Sequence, residues 1–178
     1  MGKLLILVGP SGCGKTTIGK QVALATSAKI AVSHTSREPR PGELEGADYH
    51  YIDAEEFKAM IHAKEMHQWV LYSGNFYGLK NSELDTTNNH VIAIVEPSGA
   101  EDLRSRFKGA ISVYLETYTQ TPEEYRDRML ARGDPEKIVN KRMLTLSHFE
   151  DYKNKCDVLI KESNITEAAR RISNLLHE

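Results

Sequence analysis

The apolar run Leu4-Leu5-Ile6-Leu7-Val8 leads straight into Gly9-Pro10-Ser11-Gly12-Cys13-Gly14-Lys15-Thr16, and no other stretch of this 178-residue chain limits its fold so tightly. An unbroken apolar run of this length reads as a strand buried on both faces. The segment after it fits G-x-x-x-x-G-K-[ST]. Its glycines let the backbone curl until successive N–H groups point inward. Ile18, Val22 and Ala25 then recur at helical spacing, and the helix they imply puts its partial positive charge at the same place. Strand, glycine turn and helix in that order make a cradle for the phosphates of a nucleotide. Gly9, Pro10, Ser11, Gly12, Cys13, Gly14, Lys15, Thr16 and Thr17 are the expected binding segment. Lys15 is expected to reach the β- and γ-phosphates and Thr16 to offer its hydroxyl to Mg²⁺. Cys13 lies at the helix start, where a thiol pKa can fall, but its plainer reading is a small loop residue.

Val91 to Val95, Ile111 to Leu115, Val158 to Ile160 and Ile30 to Val32 are further apolar runs. Helical patterns lie between most of them. Ala168, Ala169, Ile172, Leu175 and Leu176 form one stripe of a C-terminal helix. This alternation predicts an α/β fold with a largely parallel sheet flanked by helices. Two stretches break the rhythm. Residues 34–87 are polar and aromatic, with turn signals at Pro39, Pro41, Gly42 and Gly46, and Asp53-Ala54-Glu55-Glu56 reads as a cap ahead of a helix bearing Phe57, Met60 and Ile61. They are expected to form an inserted lobe. Residues 119–142 carry Arg126, Arg128, Arg132, Lys141 and Arg142 and are expected to form a mobile helical flap. The core is then 1–33, 88–118 and 143–178.

A net charge of −2 gives no general attraction to nucleic acid or to an anionic membrane, so phosphate binding has to be local. The two cysteines and seven histidines lack metal-site spacing. Leu4 to Val8 is too short to span a bilayer, and Met1-Gly2 opens like a myristoylation site except that Ile6 stands where Ser or Thr is wanted. The expectation is a cytoplasmic, unanchored single domain, monomeric or homodimeric.

The lobe holds two clusters suited to a second phosphate. Ser33-His34-Thr35-Ser36-Arg37-Glu38-Pro39-Arg40-Pro41-Gly42-Glu43-Leu44-Glu45-Gly46-Ala47-Asp48-Tyr49 contains two arginine forks and a phenol donor, and Ser73-Gly74-Asn75-Phe76-Tyr77-Gly78 adds another tyrosine. Together with the phosphate loop, these segments resemble the guanylate kinase family, whose pattern runs roughly S-x-T-T-R-x-P-R-x-G-E-x-x-G-x-D-Y and then G-N-x-Y-G. The likeness extends over nearly the whole chain. It implies a phosphate-loop NTPase core with a nucleoside-monophosphate-binding lobe and a helical lid, with ATP and Mg²⁺ as donor and metal. By the same resemblance Arg37, Arg40, Tyr49 and Tyr77 would hold the phosphate of the acceptor. Ser33 would lie near its base and Glu43 would brace the arginines. From spacing alone the flap arginines read as a solvated helix face. The resemblance makes Arg128, Arg132 and Arg142 lid residues that close over ATP and stabilise the transferring group.

The departures from the family pattern gather around the acceptor base. The family has Glu before the Trp of its E-W dipeptide, where this chain has Gln68 before Trp69, and Ser or Thr after Y-G, where it has Leu79. Its I-L-D-I-D-x-Q-G becomes Ile92-Ala93-Ile94-Val95-Glu96-Pro97-Ser98-Gly99, and its N-D-D near the C-terminus becomes Lys161-Glu162-Ser163. An amide accepts and donates where a carboxylate only accepts. Gln68 could accept from N1–H and donate to O6 of a 6-oxopurine, leaving a 2-amino group unread, and the same pair suits a pyrimidine. Glu96, at the end of an expected central strand, is a candidate for a Mg²⁺ water or the acceptor ribose. The leading reading is a kinase of GMP or dGMP with relaxed or altered base choice. Alternatives are a same-fold kinase of a non-guanine monophosphate or of ribose 1,5-bisphosphate, and a guanylate-kinase-like protein-binding module. A nucleic-acid-directed ATPase is disfavoured by the charge and the lack of a basic stripe.

Overall fold

The structure, a computed structural model, describes residues 2–72, 74–116, 121–131 and 133–177. In chain order its elements are β1 (Leu4–Val8), α1 (Lys15–Thr26), β2 (Lys29–Ile30), β3 (His34–Thr35), β4 (His50–Tyr51), α2 (Ala54–His62), β5 (Met66–Tyr72) and β6 (Asn75–Lys80). A short 3₁₀ turn, Asn81–Leu84, leads to β7 (Val91–Ile94), α3 (Pro97–Arg106), β8 (Ile111–Leu115), α4 (Pro122–Ala131), α5 (Glu136–Leu144), α6 (Leu146–Lys153), β9 (Val158–Ile160) and α7 (Ile165–His177). The chain divides into two compact units. One joins Met1–Lys29 to Thr86–Glu178, and the other runs from Ile30 to Asp85.

The first unit is built on a sheet of order β2-β7-β1-β8-β9. β1 is parallel to both its neighbours, β7 and β8, and β8 is parallel to β9. All five residues of β1 are buried, as its unbroken apolar run requires of a central strand covered on both faces. Ile18 and Val22 of α1 and Ala168, Ala169, Ile172 and Leu176 of α7 pack with Leu5, Leu7, Ile92, Val113 and Leu115 of the sheet into one core. Leu175 of the expected α7 stripe is only partly buried. Ala25, expected on the inner face of α1, is exposed; Gly19 takes the inner place instead, where an added Cβ would lie 3.2 Å from Ile94 Cδ1. α1 thus packs closely on β7 at this glycine. The run expected at Ile30 to Val32 forms a strand only over Lys29–Ile30. Among the described residues no helix is long and apolar enough to cross a membrane.

The second unit contains a sheet that was not expected from sequence, of order β4-β3-β6-β5. β5 and β6 form an antiparallel hairpin with Gly74 at φ +85° in its turn, and β3 pairs antiparallel with β6 and parallel with β4. Asp53 caps α2 by accepting from the Glu56 N–H at 2.7 Å, as the capping sequence predicts. Phe57 of α2 is fully buried and stacks on Phe76 of β6 with ring centroids 5.1 Å apart.

On the same face of that sheet, His34 is 7% exposed and its ring lies 4.6 Å from that of His50. Burial first, then the positive charge of His50 and Lys80, pushes His34 from its usual 6.5 down to about 4, against the opposing pull of Glu83 and Glu45. The unfolded chain therefore binds the extra proton between those two values. The contribution of neutral His34 is fully present above pH 6.5 and is lost progressively as the pH falls toward 4. Urea unfolding is expected to show stability dropping by about 2 kcal/mol over that interval, with His34→Gln flattening the slope.

Candidate active site

The loop after β1 turns on two glycines with left-handed backbone, Gly12 at φ +88° and Gly14 at φ +92°, the latter forming the N-cap of α1. Gly9 meets a different demand. A methyl added there would lie 2.7 Å from both the Leu115 carbonyl oxygen and Cys13 Sγ, so β8 and the loop leave no room for a side chain. The Lys15 ammonium reaches back across the loop to donate to the carbonyls of Gly9 at 2.5 Å and Pro10 at 2.9 Å. Thr16 and Thr17, on the first turn of α1, are exposed. Cys13 is fully buried, and desolvation pushes its thiol pKa up despite the nearby Lys15. This is the opposite of an activated thiol and agrees with the plainer reading of Cys13. Glu96 occupies the N-cap position of α3 just past the end of β7, makes no side-chain capping bond, and is exposed and close enough to Cys13 to add to that upward push.

α4 comes down onto the loop. Tyr125 and Met129 are buried, and the Arg128 guanidinium donates to the Gly12 carbonyl at 3.3 Å. Gly133, at φ +87°, ends this helix, and α5 follows. Arg142 on α5 donates through Nη1 to Asp134 Oδ2 at 2.9 Å, and Arg126 pairs with Glu136 at 2.6 Å. Arg132, expected alongside Arg128 and Arg142, lies outside the described residues. Among the described residues no three His, Cys, Asp or Glu side chains gather to hold a metal. The hydroxyl of Thr16 and the carboxylate of Glu96 are hard oxygen donors. They suit Mg²⁺, which keeps most of its waters and takes its other ligands from phosphate.

In the second unit, Glu43 is the hub. Its carboxylate accepts both bonds from Arg37 Nη2, at 3.0 and 2.9 Å, the Arg40 backbone N–H at 2.8 Å and the Tyr51 hydroxyl at 2.8 Å. The Arg40 guanidinium is 3.9 Å away. Burial alone would raise Glu43, but these donors outweigh it and hold the carboxyl below its ordinary value. Tyr51 responds in the other sense, its phenol pushed up to about 12 by burial and by the bond to Glu43. The Arg37 guanidinium lies over the rings of Tyr49 and Tyr51 at 5.5 and 5.9 Å, and Tyr49 meets Tyr77 edge-on at 6.1 Å. Arg37, Arg40, Glu43, Tyr49 and Tyr77 are thus together. With two arginines and one carboxylate the cluster is a positive, fork-bearing surface suited to a phosphate dianion. Ser33 precedes β3, its carbonyl accepting from His50 N–H at 2.9 Å.

Tyr51 was missed from sequence. Tyr49 and Tyr51 are two residues apart, the period that puts side chains on one side of an extended chain, and that spacing was the available signal. Strand register shows which face does what. Tyr77 stands opposite Thr35 and Val70, Thr35 opposite Tyr51, and Leu79 opposite Gln68. Directly opposed residues share a face, and alternate residues along a strand do too. Gln68 and Leu79, two of the departures from the family pattern, therefore form one rung on the face that carries Tyr77 and Tyr51. The opposite face carries Trp69, Phe76 and His34 and is where Phe57 of α2 packs.

The sequence profile of the family described as Guanylate kinase matches residues 1–178. Guanylate kinase of Prochlorococcus marinus (strain MIT 9312) is 33% identical over 179 aligned residues, covering 98% of this chain and 96% of that protein. Guanylate kinase of Synechococcus sp. (strain JA-3-3Ab) is also 33% identical, with 99% and 82% covered. The crystal structure of guanylate kinase from Anaplasma phagocytophilum superposes with a TM-score of 0.76 at 25% identity, over 99% of this chain and 85% of that one. Shikimate kinase from Acinetobacter baumannii, at 16% identity and a TM-score of 0.54, shares the fold.

The contact at Gly9 carries its own prediction. Its obstruction is partly backbone, the Leu115 carbonyl, and cannot swing away. Gly9→Ala is expected to lower stability by about 1–3 kcal/mol, the usual cost of overpacking, read as a shift in the urea midpoint with an unchanged m-value.

Proposed function

This chain belongs to the guanylate kinase family and is a phosphotransferase, and from that premise we propose that it transfers the γ-phosphate of ATP to GMP or dGMP, giving ADP and the diphosphate, with relaxed base choice. The observation that carries the reading is the presence of two separate sets of donors suited to phosphate. One is the glycine loop spanned by Lys15, and the other is the arginine pair braced by Glu43. A chain that only hydrolysed a nucleotide would need the first alone.

In this reading the loop N–H groups and Lys15 hold the β- and γ-phosphates of ATP. Arg37, Arg40, Tyr49 and Tyr77 hold the acceptor phosphate, with Ser33 near the base. An acceptor phosphate oxygen attacks the γ-phosphorus and the β-oxygen of ADP leaves. Little covalent chemistry is asked of the protein, which aligns the two phosphates and neutralises charge. Thr16 and Glu96 would hold Mg²⁺ directly or through its water, and the metal when bound offsets charge on the phosphate oxygens. Arg128, Arg132 and Arg142 would balance the charge spread over the transferring group, a role that in arginine fingers is worth about 10³ to 10⁵ in rate. Tyr51 joins the acceptor set through Glu43.

Base choice falls to the Gln68–Leu79 rung. Leu79 is 1% exposed and has no hydrogen-bonding group, so Gln68 alone supplies polar recognition on that rung. One amide can match the N1–H and O6 edge of a 6-oxopurine and leave the 2-amino group unread. Discrimination between GMP and IMP is therefore expected to be weak.

ADP release measured with ATP, Mg²⁺ and GMP is expected to depend on Lys15, with Lys15→Ala falling by about 10²-fold or more. Across GMP, dGMP, IMP, dUMP and dTMP, kcat/KM for IMP is expected within about a hundredfold of GMP. Gln68→Glu should widen that gap by about tenfold, because a carboxylate accepts from the 2-amino group that IMP lacks, whereas Leu79→Thr, which would donate to the O6 common to both, should raise both and leave the gap unchanged. A wild-type preference for GMP by several orders of magnitude over all the others would overturn the relaxed base choice and leave the kinase assignment standing. Absence of turnover with every monophosphate would overturn both.

A further inference from the structure

Between α4 and α5, Asp134 carries a side chain with 0% exposure, a charged group fully enclosed in a short connection. A buried carboxylate is costly, and a well-packed apolar residue would serve stability as well or better. Its presence calls for another explanation, and the geometry offers one. The Asp134 backbone is fixed from both sides. Its N–H donates to the Met129 carbonyl at 3.0 Å, closing α4, while the next residue, Pro135, accepts the first N–H groups of α5 from Ile138 at 2.8 Å and Val139 at 3.0 Å. Val139, fully buried, pins α5 in turn. The carboxylate so held takes Nη1 of Arg142 at 2.9 Å, and the Arg142 side chain is 23% exposed.

We propose that Asp134 is a positioning residue that aims the Arg142 guanidinium. The inference rests on the reading of Arg142 as an arginine that acts on the transferring phosphate. A guanidinium has five N–H donors in a rigid plane. Anchoring one end of the fork to a fixed carboxylate sets the plane and direction of the remaining donors before substrate arrives. An unanchored arginine would have to give up its rotamer freedom at the moment of reaction. Positioning of this kind acts on the chemical step more than on ground-state affinity, so it should be felt in kcat rather than KM.

The test is steady-state turnover of ATP and GMP by Asp134→Asn, Arg142→Met and the double variant, each with its thermal midpoint. Asp134→Asn keeps the shape and removes the charge. Its kcat is expected to fall about tenfold or more, with both KM values within about threefold of wild type. Arg142→Met should lose more activity, because it removes the guanidinium itself. Adding Asp134→Asn to Arg142→Met should lower turnover no further, since there is no longer a guanidinium to aim. Wild-type kcat in Asp134→Asn beside a crippled Arg142→Met would overturn the positioning role, as would a double variant whose activity falls by the product of the two single losses. Wild-type turnover in Arg142→Met would instead remove the reading of Arg142 itself, and the proposal with it.

Discussion

A chain of net charge −2 that handles phosphate must gather positive charge locally and then keep it from collapsing or wandering. Four of the cations singled out from sequence are held by acceptors within the described residues. Lys15 is spanned between the Gly9 and Pro10 carbonyls, Arg128 is held by the Gly12 carbonyl, Arg37 is forked onto Glu43 and Arg142 is tied to Asp134. An arginine fork held in place in advance needs no reorganisation when phosphate arrives, and this is where electrostatic contributions to phosphoryl transfer are largest.

These acceptors are in turn supplied by close packing. The Gly9 backbone lies against Leu115 so tightly that no side chain fits, which fixes where the carbonyls of the loop point. β1 brings the loop there because all five of its residues are buried between β7 and β8. In the second unit a small sheet does comparable work. Phe57 packs on Phe76 against one face, and the other carries Tyr51, Tyr77 and the Gln68–Leu79 rung.

Much of this was legible from residues alone. The glycine loop, the buried strand before it, the apolar runs of the parallel sheet and the Asp53 cap are local signals, carried by neighbours in sequence and by simple periodicity. The α7 stripe was legible, and the α1 face nearly so with a small error at Ala25, because helical periodicity fixes a face only to within one position. The β4-β3-β6-β5 sheet was not legible. β3 and β4 are two residues each, too short to show any alternation; β3 exists because β6 pairs with it, and β4 because β3 does.

The sequence by itself determined the chemistry on offer: which residue types suit phosphate, that they fall in two stretches, and that Gln68 and Leu79 differ from the family pattern. Only the tertiary structure decided how those residues are held. It made Glu43 a hub for Arg37, Arg40 and Tyr51, placed Gln68 and Leu79 opposite one another on a single rung, and enclosed Asp134 against Arg142. The physical reason is that residue type and local spacing are properties of a short stretch of chain. A shared carboxylate, a strand register and complete burial depend on where the chain returns, and that is set by packing over the whole unit.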